Sequence, residues 1–119
     1  MKSETAIAKE IRLATSVGAS RMFRNHVGKI QDKRTDRWHT FGMATGSSDL
    51  VGWTSVVVTQ DMVGTKVALF TAIEVKKNRK ARRSPDQTNF GACVLRAGGL
   101  FTFAWSVEQA RALVRREAT

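Results

Sequence analysis

The chain of 119 residues has only one cysteine and one proline, and it contains no tyrosine. The single Cys93 excludes an intrachain disulfide, which is typical of proteins in a reducing compartment. No apolar run approaches the roughly 18 residues that a membrane-spanning helix needs. The opening segment MKSETAIAKE is charged and lacks the apolar core of a secretion signal, so the sequence predicts a cytoplasmic protein without a membrane partner.

Acidic residues are also scarce. The chain has 10 Asp and Glu against 20 Lys and Arg, a formal charge of +10 that favours a polyanionic partner such as DNA. Charge alone leaves open a ribosome-like structural protein or a membrane-surface binder. A hydrophobic fraction of 42% is enough for one core, and the length predicts a single domain over residues 1–119. No Gly-rich loop of the Walker type is present, so no nucleotide cofactor is expected.

The pattern of apolar residues predicts an α/β fold in the order α-β-β-β-α-β-α. In the first half, a helix is expected over 4–17 with Ser3 as its N-cap, followed by a strand over 20–30. The polar segment 31–48 is typical of a mobile loop. A strand over 49–60 and a second over 66–76 should form a hairpin, and the second is apolar on both faces, which predicts a central strand covered on both sides.

The second half begins with clear capping signals. Ser84, Pro85 and Gln87 predict a helix that starts with a capping box and ends before Gly98. Its expected buried stripe is Phe90, Cys93, Val94 and Ala97. A short apolar strand over 100–105 and a final helix from the capping box SVEQ follow. The helix over 85–97 should therefore link two parallel strands by a right-handed crossover.

Charged residues interrupt the most apolar strand. Glu74 and Lys76 are two apart, so they point to the same face, and Asp49 enters the strand expected beside them. Two carboxylates that converge on neighbouring strands and are open to solvent on one side suit Mg²⁺ or Mn²⁺. The alternatives are a structural ion pair between Glu74 and Lys76 and a turn-capping role for Asp49.

A basic loop directly follows this strand. Its residues are candidates for DNA phosphate contacts: Lys76, Lys77, Arg79, Lys80, Arg82 and Arg83. Weaker candidates of the same kind are Arg24, Lys33, Arg34 and Arg37. Trp38 is either a platform for an unpaired base or a half-buried loop tryptophan. His26 and His39 lack partners at zinc spacing.

Asp49 followed by Glu74-x-Lys76 resembles the PD-(D/E)xK nuclease superfamily. Across nearly the whole chain, the order and spacing resemble those of the VRR-NUC family, which occurs alone in phages and bacteria and fused to repair proteins in eukaryotes. The segments that carry this resemblance are SETAIAKEI, FRNHVG, GSSDLVG, AIEVK, DQTNF and RAGGLFTFAWSVEQA. Ser48 stands where the superfamily has proline, as is usual in this family, and the basic insert 31–40 has no place in the family pattern.

The resemblance implies a restriction-endonuclease-like α-β-β-β-α-β core, a mixed sheet flanked by helices, with an extra C-terminal helix. It also implies a Mg²⁺- or Mn²⁺-dependent DNA endonuclease that acts as a homodimer on branched DNA such as a Holliday junction. The implied metal ligands are Glu4, Asp49, Glu74 and the carbonyl of Val75. The implied catalytic residues are Asp49, Glu74, Lys76 and Gln87.

Some assignments stay open. Glu10 competes with Glu4, because both flank the apolar stripe of the first helix and only the family spacing favours Glu4. The capping box explains Gln87 without any catalytic role, although a helix N-terminus beside the site would also favour a phosphate. The alternative function is a non-catalytic nucleic-acid-binding module with a vestigial site, and RNA cleavage is a further option.

Overall fold

The structure, a computed structural model, describes residues 2–115 as a mixed α/β fold. The helices are α1 (Glu4–Thr15), α2 (Pro85–Arg96) and α3 (Val107–Arg115), and a single 3-10 turn spans Gln60–Met62. The strands are β1 (Ser20–Arg24), β2 (Gly28–Gln31), β3 (Trp38–Phe41), β4 (Leu50–Thr54), β5 (Thr71–Val75) and β6 (Leu100–Ala104). No helix within residues 2–115 is both long and apolar enough to cross a membrane.

The chain divides into two compact units, Met1–Val56 and Val57–Thr119. In the first unit, the Ser3 hydroxyl accepts a hydrogen bond from the Ala6 amide, which confirms the predicted N-cap of α1. β1 and β4 pair antiparallel from Ser20↔Thr54 to Arg24↔Leu50. A Cβ at Gly52 would overlap the Arg21 carbonyl, so this close strand approach requires glycine.

Two predictions for the first unit are wrong. The expected single strand over 20–30 is divided into β1 and β2, and part of the expected loop over 31–48 is a strand, β3. β2 and β3 pair antiparallel from Gly28↔Phe41 to Gln31↔Trp38. The reason is local, since Trp38, Thr40 and Phe41 favour strands and the ring of Phe41 lies over Gly28.

The second unit contains a parallel pair of strands joined by a helix, as predicted. β5 and β6 pair in register from Thr71↔Leu100 to Val75↔Ala104, and α2 connects them. Val94 of α2 is fully buried and Ala104 is 4% exposed. The predicted buried stripe of α2 is wrong at Phe90 and Cys93, which are exposed.

The predicted hairpin of 49–60 with 66–76 is wrong in its extent and its pairing. β4 ends at Thr54 and pairs with β1, whereas β5 begins at Thr71 and pairs with β6. Between them, the Thr65 hydroxyl donates to the Met62 carbonyl, and the Thr59 hydroxyl donates to Asp61. The Met62 amide also donates to the Thr59 carbonyl, and the Thr65 amide to the Met62 carbonyl, so these backbone groups are satisfied locally without a ladder. β5 is also not covered on both faces within its unit, since Val75 is 75% exposed.

Candidate active site

β5 places Glu74 and Lys76 on one face of the two-stranded sheet in the second unit. The register is fixed by hydrogen bonds from the Lys76 amide to the Ala104 carbonyl (2.8 Å) and from the Leu100 amide to the Phe70 carbonyl (2.8 Å). Residues paired in a sheet point to the same face, so Glu74 shares its face with Phe103 of β6. Both Glu74 and Lys76 are half-buried.

The start of α2 holds Lys76. The Lys76 ammonium donates a hydrogen bond of 2.6 Å to Oε1 of Gln87, and the Ser84 amide donates to the same oxygen at 3.0 Å. The Ser84 hydroxyl in turn accepts from the Gln87 amide at 3.1 Å, which completes the predicted capping box. Gln87 therefore caps the helix and holds Lys76 at the same time.

A pocket of 270 Å³ lies beside this contact. Glu74, Asp86 and Gln87 provide its polar wall, and Phe90 and Phe101 provide much of its apolar wall. Asp86 is a second carboxylate that the sequence interpretation missed. Its signal was its place in SPDQ, between the helix cap and Gln87, where an acidic residue is ordinarily explained by the helix dipole.

Two carboxylates line this pocket, and carboxylates are ligands that hard divalent cations prefer. Gln87 contributes no ligand in this arrangement, because Oε1 already accepts two hydrogen bonds. The carboxylates of Glu74 and Asp86 remain, and Mg²⁺ is commonly held by one or two carboxylates together with waters and substrate phosphate. Within residues 2–115, no three His, Cys, Asp or Glu side chains gather into a metal-binding group.

The backbone of Val75 faces away from β6. The two hydrogen bonds that fix the register direct the peptide groups of residues 70, 72, 74 and 76 toward β6, so those of the alternate residues point to the other edge of β5. The Val75 carbonyl is thus outside the β5–β6 ladder. Its role as a metal ligand, which the family resemblance implies, stays a prediction.

Glu4 and Asp49 belong to the first unit. Glu4 is the exposed first residue of α1, whereas Glu10 forms an ion pair with Lys2 at 2.6 Å. Asp49 is exposed and directly precedes β4. The turn before it is held by Asn25, which is 9% exposed. The Asn25 amide group donates to the Ser48 carbonyl (2.8 Å), and its backbone amide donates to the Asp49 carbonyl (2.8 Å).

The basic loop of the second unit is organised by Asn78. Its side-chain oxygen accepts from the Lys80 amide at 3.0 Å, in an Asx turn. The loop residues Lys77, Arg79, Lys80, Arg82 and Arg83 are all exposed. The weaker candidates are in the first unit, with Arg24 on β1 and with Lys33, Arg34 and Arg37 in the turn between β2 and β3. Trp38 is 63% exposed on β3.

Comparisons of the chain with models of protein families, with curated proteins and with solved structures found no match. The resemblance to the VRR-NUC family therefore stays a prediction. The second unit itself supplies the geometry from which a function can be argued: a Glu-x-Lys strand, a lysine held by a helix cap, a second carboxylate and a basic loop.

Proposed function

We propose that the chain is a metal-dependent DNA endonuclease with a restriction-endonuclease-like core. The observation that carries this proposal is the 2.6 Å hydrogen bond from Lys76 to Gln87. It connects the Glu-x-Lys strand to the start of α2 and holds a cation on the same face as the Glu74 carboxylate. Ionisable groups gathered beside a pocket are typical of catalytic sites.

In the second unit, Glu74 and Asp86 would hold Mg²⁺ or Mn²⁺. The further ligands Glu4, Asp49 and the Val75 carbonyl are implied by the family resemblance alone. Such a cation supplies charge neutralisation at the scissile phosphate and acidifies a bound water. Lys76 has three N–H donors and directs one of them to Gln87. Its other donors orient an attacking water or stabilise charge on the phosphate oxygens as the phosphodiester is hydrolysed.

The basic loop would hold the DNA backbone next to Glu74 and Lys76. Its cations directly follow β5 and are exposed, so they are available to contact phosphates. The substrate inferred from the family resemblance is branched DNA, such as a four-way junction. A homodimer suits this substrate, because two sites related by a two-fold axis cut opposing strands symmetrically.

A cleavage panel tests the proposal. Duplex, flap, four-way junction and single-stranded DNA, and a matched RNA, are incubated with the protein with and without Mg²⁺ or Mn²⁺. Glu74→Gln and Lys76→Met should each lower the cleavage rate by at least about 100-fold while DNA binding is retained. Matched controls are Glu108→Gln and Lys66→Met, which remove the same charges from exposed positions outside the pocket. Full cleavage by both site variants would refute the assignment.

A second candidate is a non-catalytic nucleic-acid-binding module. It is favoured by the exposed cations of the basic loop, which can bind a polyanion without any chemistry at the pocket. This candidate predicts salt-dependent DNA binding through the basic loop and no nicking with either metal at any protein concentration. The same panel therefore separates the two functions.

A further inference from the structure

A second groove of 450 Å³ lies in the second unit beyond the candidate active site. Phe101, Phe103 and Trp105 contribute aromatic walls, and Arg83 and Gln109 contribute polar groups. We refer to this surface as the aromatic groove. Its volume is within the range of small-ligand sites, and such sites combine apolar walls with a few polar groups, as here.

The aromatic groove shares a face of the sheet with the candidate catalytic residues. Phe101, Phe103 and Trp105 alternate along β6 and its continuation, so they point the same way. Register places Phe103 beside Glu74, and continuing it by one residue places Trp105 beside Lys76. The rings of Phe101 and Phe103 meet edge to face at 5.2 Å, a stable aromatic arrangement.

The basic loop ends at this groove. The guanidinium carbon of Arg83 lies 4.3 Å from the centroid of the Phe103 ring, a cation–π contact that fixes the end of the loop on β6. The groove therefore has aromatic walls with exposed cations along the chain that leads to it. Bases stack on aromatic rings while their phosphates are attracted to cations, so this combination complements a nucleotide chain.

Gln109 adds a hydrogen-bond donor. Its side-chain oxygen accepts hydrogen bonds from the Trp105 amide (3.1 Å), the Ser106 amide (2.9 Å) and the Ser106 hydroxyl (3.0 Å). These donors hold the side-chain oxygen in place, and Gln109 also lines the aromatic groove. The NH₂ group is therefore suited to donate to a carbonyl on a base edge.

We propose that the aromatic groove binds an unpaired base of the DNA strand whose phosphates the basic loop contacts. This inference rests on the proposed function and narrows its substrate class. A base inside a duplex is stacked on both sides and does not present its face, whereas a base at a branch point or in a single strand does. DNA with unpaired bases beside the scissile phosphate is thus the preferred substrate.

The test compares two fluorescent single-stranded oligonucleotides of equal length in metal-free buffer. One carries bases throughout, and in the other the central nucleotides are abasic, so that the phosphate charge is the same. Anisotropy titrations should show the wild-type chain binding the first at least about fivefold more tightly. Trp105→Leu should remove this preference, and the control Phe41→Leu, which removes an exposed aromatic ring outside the groove, should keep it.

Tryptophan fluorescence tests the proposal without any substitution in the groove, in case the Trp105→Leu variant does not fold. In the double variant Trp38→Phe, Trp53→Phe, Trp105 is the sole tryptophan, so its emission should be quenched by the oligonucleotide with bases and not by the abasic one. Equal quenching by both, or equal wild-type affinity for both, overturns the proposal. It is likewise overturned if Trp105→Leu dissociates a dimer, measured by light scattering, without any change in base preference.

The results that would refute the proposed nuclease function differ from those that would refute the groove assignment. A loss of base preference with intact metal-dependent cleavage overturns only the groove assignment. If the wild-type protein cleaves no substrate but keeps its base preference, only the nuclease proposal is overturned, and the assignment of the groove as a base-binding site is supported. Binding of the abasic oligonucleotide, which depends on the basic loop and on salt, is the internal reference in both cases.

Discussion

Gln87→Leu tests the physical role of the residue that joins β5 to α2. Leucine has nearly the volume of glutamine but no acceptor, so the substitution removes the oxygen that both the Lys76 ammonium and the Ser84 amide use. Packing against the pocket is largely retained. The free energy of unfolding should therefore report mainly the two lost hydrogen bonds.

The expected loss follows from those two bonds. A neutral hydrogen bond contributes about 1 kcal/mol and one to a charged group about 1.5–3 kcal/mol. Lys76 and Ser84 are only half-buried, so water replaces part of each bond. We expect Gln87→Leu to lower the free energy of unfolding by about 2 kcal/mol. Ser84→Ala, which removes only the hydroxyl acceptor of the Gln87 amide, should cost about 1 kcal/mol.

Urea unfolding followed by circular dichroism measures both values. Asn89→Leu, the same chemical change at an exposed position of α2, is the matched control and should lie within about 0.5 kcal/mol of wild type. A double-mutant cycle with Lys76→Met should give a coupling of about 1 kcal/mol between Lys76 and Gln87. The reasoning is refuted if Gln87→Leu costs no more than Asn89→Leu, or if the cycle gives no coupling.

Three further predictions follow from single contacts. Gly91→Ala should lower Tm in a thermal melt, although alanine favours helices, because the added Cβ would overlap the Phe101 ring; a raised Tm would contradict this packing. The hydrogen bond from the Thr59 hydroxyl, together with a backbone hydrogen bond, lowers the pKa of Asp61. Thr59→Val should therefore raise the pKa of Asp61 in an NMR titration, and an unchanged pKa would exclude the contact. In the wild-type protein, any stability gained from this lowered pKa is present above the pKa that Asp61 has in the unfolded state. It is lost as the pH falls through the pKa that Asp61 has in the folded state. Lys80→Gln should reduce the slope of log affinity for DNA against log salt by about 1, and an unchanged slope would remove Lys80 from the interface.

The sequence predicted the β5–α2–β6 unit well because its signals are local. Ser84 and Gln87 lie three residues apart, and their reciprocal hydrogen bonds form wherever the helix begins. A helix between two apolar strands favours parallel pairing, which the structure confirms. The family resemblance implies both Lys76 and Gln87 as site residues, and the structure brings their side chains to 2.6 Å.

Strand pairing over longer distances was predicted poorly for a physical reason. Apolar alternation indicates that a segment is a strand but does not say which strand it pairs with. β4 pairs with β1, where Gly52 permits the close approach. The role of Asn25 was missed for the same reason, since its side chain joins segments about twenty residues apart and leaves no periodic signal. Asp86 was missed because a first-turn acidic residue has a sufficient explanation in the helix dipole.

The start of α2 has a bearing on how the proposed site would recognise DNA. A helix N-terminus ordinarily offers free amides to a phosphate. Here Pro85 has no amide hydrogen, the Gln87 amide donates to the Ser84 hydroxyl, and the Thr88 amide donates to the Ser84 carbonyl. The first turn also carries the Asp86 carboxylate, which repels a phosphate. The capping box therefore reduces the number of amides that this helix end offers to a phosphate. We expect the exposed cations of the basic loop to supply most of the attraction for phosphate, whereas the positive end of α2 stabilises the Asp86 carboxylate, which lines the pocket together with Glu74. DNA binding should consequently depend strongly on salt concentration. The position of the Asp86 carboxylate relative to Glu74 should instead depend on the helix cap that Gln87 completes.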